Sequence, residues 1–184
     1  MLALPAVPFW YLRHGETDWN AQNLSQGNID IPLNENGIAQ AHDAAAKLKG
    51  RGIHSIVASP LSRAHDTALV VAQALGLSVS LDEGLREVSF GVKEGQPMAD
   101  WFASWVAGDF TPDGAESFPA LKARALAAIN RALLQSAPVL VVAHGALFRA
   151  LRAEMGLDPN FRTPNAQPLF CRPGQPSWDL IAAD

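Results

Sequence analysis

Tyr11-Leu12-Arg13-His14-Gly15-Glu16-Thr17-Asp18-Trp19-Asn20 ends an apolar run in an adjacent Arg and His, followed by a glycine that lets the backbone turn. Phe9 to Leu12 read as a buried strand, so Arg13 and His14 emerge at its carboxyl end, the edge at which open α/β sheets place ligands. An imidazole beside a guanidinium at that edge suggests an anion site, although one such pair alone is more often structural. The pattern recurs. Val139-Leu140-Val141-Val142-Ala143-His144-Gly145 again runs strand, His-Gly, helix, and Ile56 to Arg63 ends a third strand with an Arg one step into the following turn. In a parallel sheet three such ends share one edge, so two His and two Arg converge on one anion.

Around these three strands, helical and strand patterns alternate. Asn34 is a plausible N-cap for a surface helix with Ile38, Ala41, Ala45 and Leu48 on its apolar stripe, stopped by Gly50 and Gly52. Ser55 to Ser59 form the second strand, Ser62 to Leu75 a helix closed by Gly76, and Val79 to Leu81 a brief strand. Arg63 falls in the first turn of its helix, near the positive end of the dipole. Asp82 to Gly95 are irregular and carry Glu87, by itself an ordinary loop carboxylate. Glu116 to Gln135 form a long helix, Val139 to Ala143 have the continuous apolar character of a central strand, and Ala146 to Met155 form the helix after His144. Gln167 to Cys171 and Trp178 to Ala182 read as paired edge strands. Long crossovers between strands favour parallel pairing, hence an α/β fold: a three-layer α/β/α sandwich with a mostly parallel central sheet.

At 184 residues and 48% hydrophobic, with formal net charge −4, the chain is expected to be one domain over residues 1–184 with a substantial core. That charge offers no basic surface for nucleic acid, so positive potential must be local. Met1 to Phe9 lack a positive n-region and read as a short leader into the first strand. No apolar stretch approaches the ~18 residues that span a bilayer, and a lone Cys171 makes no intramolecular disulfide. The expectation is therefore a cytoplasmic protein with no membrane and no nucleic-acid partner; oligomeric state stays open. From Gln96 to Leu121 there is no Lys or Arg, while Trp101, Phe102, Trp105 and Phe110 crowd together. Residues 96–121 are expected to cap the site with an apolar underside, the alternative being a plain core-facing helix.

In its motifs the chain resembles the histidine phosphatase superfamily, the phosphoglycerate-mutase-like proteins of branch 1. Arg13-His14-Gly15-Glu16 with Asn20 resembles the signature, and Ser59-Pro60-Leu61-Ser62-Arg63-Ala64 the second block. Leu85-Arg86-Glu87 with Phe90-Gly91 and Glu94-Gly95 resemble the third, Ala143-His144-Gly145 the fourth. The resemblance implies that His14 is a nucleophile that becomes a phosphohistidine. Arg13, Arg63 and His144 would hold the phosphate, Asn20 would add a donor, and Glu87 would protonate the leaving group. Gln26 and Gly27 resemble the family's pocket-bordering loop, in which Leu24 replaces a frequent Arg and removes one positive contact; Asn165 resembles a pocket-lining position. Tyr11 stands where relatives carry an aliphatic residue.

Elementary chemistry agrees with these roles. Two guanidiniums near His14 disfavour its protonated form and keep a lone pair available at neutral pH, and Arg pairs bidentately with phosphate oxygens. Other phosphate chemistries fail on spacing: Cys171 has no Arg six positions on, and neither G-x-x-x-x-G-K-[ST] nor G-x-S-x-G occurs. The five His show no metal-ligand spacing; His42, His54 and His65 read as solvated, with His65 the one close enough to Arg63 to modulate the site. No metal or organic cofactor is expected. The expected activity is a phosphomonoesterase for a small phosphorylated metabolite. A phosphoglycerate mutase is the alternative, disfavoured because related mutases carry a basic insertion where residues 96–121 have no Lys or Arg, and tend to have Thr where this chain has Gln26. An inactive phosphate-binding module would need to have lost His14, Arg63, Glu87 or His144, all present.

Overall fold

The computed structural model describes residues 2–184; Met1, where the expected leader begins, lies outside the described residues. Six strands form one sheet: β1 (Phe9–Arg13), β2 (Ser55–Ala58), β3 (Val79–Leu81), β4 (Val139–Ala143), β5 (Leu169–Arg172) and β6 (Asp179–Ala182), in the order β3-β2-β4-β1-β5-β6. β3, β2, β4 and β1 are parallel, whereas β5 runs antiparallel to β1 and to β6. Only β6 is an edge strand of the carboxyl-terminal pair; β5 sits inside the sheet. It begins after Pro168, which has no N–H to give to a ladder.

Strand periodicity of two divides the core between the two faces. Phe9, Tyr11, Val57, Val139 and Val141 face α4 (Trp101–Ala107), α5 (Phe118–Ala132) and α6 (Gly145–Glu154). Trp10, Leu12, Ile56, Leu140 and Val142 face α2 (Glu35–Leu48) and α3 (Ser62–Leu75). The result is the three-layer α/β/α sandwich that alternating patterns required. β1 and β4 are buried along their whole length because both faces are covered.

Two helices depart from expectation. On α2 the buried residues are Gly37, Ala41, Ala44, Ala45 and Leu48, while Ile38 is 47% exposed. The cause is backbone contact: a Cβ on Gly37 would lie 2.1 Å from the Glu16 carbonyl oxygen, and one on Gly15 would lie 2.3 Å from that of Gly37. This approach fixes the helix's rotation with Gly37 inward and turns Ile38, about 100° further round, towards solvent. Gly15 is thus required for close packing, not for a turn. The helix expected from Glu116 to Gln135 is shorter, because Ser117 is its N-cap, accepting from the Ala120 N–H. Glu116 instead forms a two-bond pair with Arg124, at 2.9 and 2.6 Å.

Candidate active site

Register brings the expected site residues together. β1 pairs with β4 so that Arg13 lies opposite Ala143, and the next residue of each strand, His14 and His144, therefore meet, with ring centroids 5.3 Å apart. β2 pairs with β4 one step earlier, Ala58 opposite Val142, which brings Ser59 Oγ to 2.8 Å from His144 Nε2. Arg63 follows in the first turn of α3 and is 1% exposed.

His14 Nδ1 lies 2.6 Å from the Gly15 carbonyl oxygen, a contact that requires the proton on Nδ1 and leaves the Nε2 lone pair free. Burial, then the charges of Arg63 and Arg13, holds the His14 imidazole well below its ordinary pKa of 6.5. His144 is lowered for the same reasons, burial first and Arg63 next. Arg13 and Arg63 are both pulled down to about 10, chiefly by burial, and stay cationic at neutral pH. Arg13 Nη1 donates to the Thr163 carbonyl at 2.6 Å; Arg63 gives Nη1 to Ile29 O and Nη2 to Gly27 O, each at 2.7 Å. Their Nε atoms, with Nδ1 of His144, are buried and have no partner among the described residues. Buried guanidinium N–H groups without partners at this edge are of the kind that a multiply charged oxyanion satisfies.

Tyr11 lies beneath His144, fully buried and stacked on Phe148. Its hydroxyl donates to His144 O at 2.8 Å and accepts the His144 N–H at 3.2 Å, while burial raises the phenol well above its ordinary pKa. The Tyr11 hydroxyl therefore fixes the backbone of the second His.

Glu87, 7% exposed, lies at the amino terminus of α6. Its Oε2 accepts from Ala146 N–H at 2.9 Å, and its Oε1 from Leu147 and Val88 N–H, each at 3.0 Å. Two helix-end donors and the neighbouring Val88 N–H anchor a carboxylate on an otherwise irregular segment. Arg124 holds the same segment by donating to Gly84 O and Arg86 O.

A cavity of about 620 Å³ opens over this edge. Arg13, His14, Asn20, Gln26, Gly27, Arg63 and Glu87 are on its wall. His144 and Asn165 are not on it. His144 is fully buried behind, and Asn165 sits one step back, donating Nδ2 to His14 O at 3.0 Å and Asn20 Oδ1 at 3.2 Å. Asn20 Oδ1 also accepts the Thr17 N–H, and Gln26 Oε1 accepts from the Thr17 hydroxyl at 2.6 Å. Both amides are thereby oriented with their oxygens occupied and their NH₂ groups free. His65, half-buried on α3, is not on the wall, and His42 and His54 are exposed. Cys171 is buried in the core, and that burial raises its thiol pKa.

Sequence reasoning missed part of the wall. Arg149 on α6 and Asn160, Arg162 and Thr163 in the loop beyond it reach the cavity. A single Arg one turn into a helix gives no motif; the one available signal was its spacing of five residues after His144. From the segment expected to cover the site, Met98, Phe102 and Ala103 line the cavity, whereas Trp105 is fully buried in the core and Phe110 is 41% exposed. α4 is thus core-facing and cavity-facing at once. Among the described residues no three His, Cys, Asp or Glu side chains cluster as metal ligands, and no helix is long and apolar enough to cross a membrane.

The histidine phosphatase superfamily (branch 1) pattern matches residues 9–167. The structure is similar to that of a mycobacterial glucosyl-3-phosphoglycerate phosphatase, solved in complex with VO3: TM-score 0.84, 31% identity, covering 96% of this chain and 98% of that one. It is also similar to a phosphoserine phosphatase of Entamoeba histolytica in complex with 3-phosphoglyceric acid: TM-score 0.80, 25% identity, 96% of each chain. Over 89 residues, 48% of this chain, it is 45% identical to "Probable phosphoglycerate mutase GpmB" of Yersinia pestis, a match that spans only 41% of that relative's length. With the matched pattern running from β1 to the end of the Asn165 loop, the chain belongs to branch 1 of the histidine phosphatase superfamily.

Proposed function

We propose that the chain is a phosphomonoesterase that works through a phosphohistidine on a small phosphorylated metabolite. The observation that carries this reading is that Arg13 Nε, Arg63 Nε and His144 Nδ1 are buried without partners at the sheet edge that carries a His14 whose Nε2 lone pair is free. Bound there, a phosphoryl group has its oxygens held by cations while His14 Nε2 attacks phosphorus. The P–O ester bond breaks, and a protonated Glu87 gives its proton to the departing alkoxide. Water then attacks the phosphohistidine, Glu87 takes the water's proton, and inorganic phosphate leaves with the imidazole restored. Asn20 and Gln26 offer amide donors to the phosphoryl oxygens, and the Gly27 carbonyl holds Arg63. Asn165 positions His14 and Asn20. Residues 96–121 act as a cap within a single domain, their apolar wall at Met98 and Phe102 limiting water at the site.

A phosphoglycerate mutase reading draws support from the named Yersinia relative. It would use the same residues and differ only in the acceptor of the phosphoryl group. A panel of labelled phosphate monoesters, followed both for phosphate release and for isomerisation, separates the two. An alkaline rapid quench, which preserves phosphohistidine, should trap label on the wild-type protein and none on His14→Ala. Label trapped on that variant would show that another residue is the nucleophile.

A further inference from the structure

The cavity is much larger than a phosphate group and lies within the ~300–1,000 Å³ usual for small-molecule sites. Its wall carries four arginines, Arg13, Arg63, Arg149 and Arg162, against two carboxylates, Glu87 and Asp100, in a chain of formal net charge −4. Of the six arginines elsewhere in the chain, four pair with acids among the described residues, Arg86 with Glu83, Arg124 with Glu116, Arg131 with Asp82 and Arg172 with Asp179, whereas Arg51 and Arg152 donate to backbone carbonyls. None of the four cavity arginines has a carboxylate partner among the described residues. Arg13 and Arg63 are accounted for by the phosphate. Arg149 and Arg162 are not.

Arg149 is held in place without being neutralised. Its Nη1 donates to the carbonyls of Pro159 and Asn160 at 3.2 and 2.5 Å, and its guanidinium stacks on Phe102 with the carbon 4.6 Å from the ring centre. Arg162 is exposed at the mouth, and the residue after it supplies the carbonyl that Arg13 Nη1 holds. We propose that Arg149 and Arg162 form a second anion subsite, and that the substrate is a phosphate monoester whose alcohol part carries a carboxylate. A planar fork fixed over an aromatic ring suits a planar carboxylate, and a second charge on the leaving-group side orients the ester oxygen towards Glu87. These arginines come from α6 and the loop after it, so the subsite does not need basic residues in 96–121. The proposal rests on the phosphoryl site described above.

The test separates binding from turnover. With His14→Ala, which cannot be phosphorylated at that position, calorimetry measures affinity for ester pairs that differ only in the carboxylate: 3-phosphoglycerate against glycerol 3-phosphate, and O-phosphoserine against O-phosphoethanolamine. The carboxylated member should bind about 10- to 100-fold tighter, the range expected for charge-assisted hydrogen bonds. Adding Arg162→Gln should bring the ratio close to one, with Arg162→Lys intermediate because it keeps the charge without the fork. Equal binding of both members, or a ratio untouched by Arg162→Gln, overturns the subsite even if the wild-type protein hydrolyses both esters. A carboxylate preference in a wild-type protein that turns over neither ester leaves the subsite standing and overturns the phosphatase reading. Absence of binding by any of the four overturns both.

Discussion

Gly27→Ala tests the frame that holds Arg63. Gly27 has φ of +54°, a left-handed conformation that costs a Cβ-bearing residue about 1–2 kcal/mol. A Cβ built there meets Glu94 Oε1 at 2.2 Å, and the three nearest heavy atoms all belong to the Glu94 side chain. That oxygen also accepts the N–H groups of Asn28 at 3.0 Å and Phe90 at 3.1 Å, tying the 23–32 loop to the segment after Glu87. If the carboxylate is displaced, two hydrogen bonds to a charged group are lost at about 1.5 kcal/mol each, the low end because the site is partly exposed. Together with the backbone strain, destabilisation should reach about 4–5 kcal/mol, or roughly 10–15 °C in melting temperature for a chain of this size. Activity should fall as well, because Gly27 O is one of the two carbonyls that hold Arg63. Urea denaturation of wild type, Gly27→Ala, Glu94→Ala and the double variant forms a cycle. Once Glu94 is truncated, Gly27→Ala should cost only the backbone strain, leaving a coupling of about 3 kcal/mol. If Gly27→Ala costs the same with and without the Glu94 carboxylate, the clash is not the mechanism.

Other outcomes follow from the same geometry. Stability should be flat between the ordinary histidine value of 6.5 and the ordinary thiol value of 9.0, above which Cys171 and Tyr11 ionise more readily unfolded. It should fall as pH drops below 6.5, because His14 and His144 take up protons more readily unfolded than in their lowered folded state; each adds up to about 1.4 kcal/mol per pH unit, so His14→Asn should roughly halve the slope in pH-dependent denaturation. Ser59→Ala removes the hydroxyl 2.8 Å from His144 Nε2 and should lower kcat about ten-fold or more with little change in fold, whereas an unchanged kcat would exclude a part for Ser59 in orienting His144. Glu87→Gln should slow esters of poor alcohol leaving groups by about 10² or more beyond any effect on p-nitrophenyl phosphate, in line with acid catalysis worth ~10²–10⁴; equal losses on both would make Glu87 a positioning group. Inorganic phosphate or vanadate at a hundred times its dissociation constant should stabilise the protein by about 2.7 kcal/mol, and Arg63→Gln should abolish most of that shift in a thermal melt.

The strands of the catalytic edge were legible because β1 and β4 are continuous apolar runs ending in His-Gly, a pattern set by burial on both sheet faces. Their register was not legible, since nothing in one strand's sequence says which residue of another lies opposite. Yet register is what sets His14 beside His144 and puts Ser59 Oγ on the second ring. Seven of the nine expected site residues reached the cavity wall, each either in a strand-end motif or in a block read by resemblance. Arg149 and Arg162 gave no such signal: one falls on a helix where an exposed Arg is the ordinary reading, the other on a loop without periodicity. Ile38 was placed inward by helical spacing alone, which fixes which residues share a face but not how the helix is rotated; a backbone contact between Gly37 and Glu16 decides that. The end of α5 was misjudged because Glu116 looks like a first-turn acid, although Ser117 supplies the cap and Glu116 is taken by Arg124.

The site works against the stability of the unliganded fold, and this bears on its function. Burying Arg13 and Arg63 while leaving both Nε atoms and His144 Nδ1 without partners forgoes about 1–3 kcal/mol for each donor relative to a satisfied group. A carboxylate placed among them would relieve that cost and block the phosphate, and the fold avoids it by binding Glu87 to two backbone N–H groups at the α6 terminus and to that of Val88 instead. Carbonyls, not acids, orient the guanidiniums: Thr163 for Arg13, Gly27 and Ile29 for Arg63, Pro159 and Asn160 for Arg149. A carbonyl fixes a guanidinium's direction without cancelling its charge, so the full attraction is kept for an incoming anion in a partly desolvated pocket. His14 is kept unprotonated by its burial first, and then by the uncancelled charges of Arg63 and Arg13. On the phosphatase reading those same charges would hold the phosphate, so a carboxylate partner for either arginine should weaken phosphate binding and raise the proton affinity of the His14 ring together.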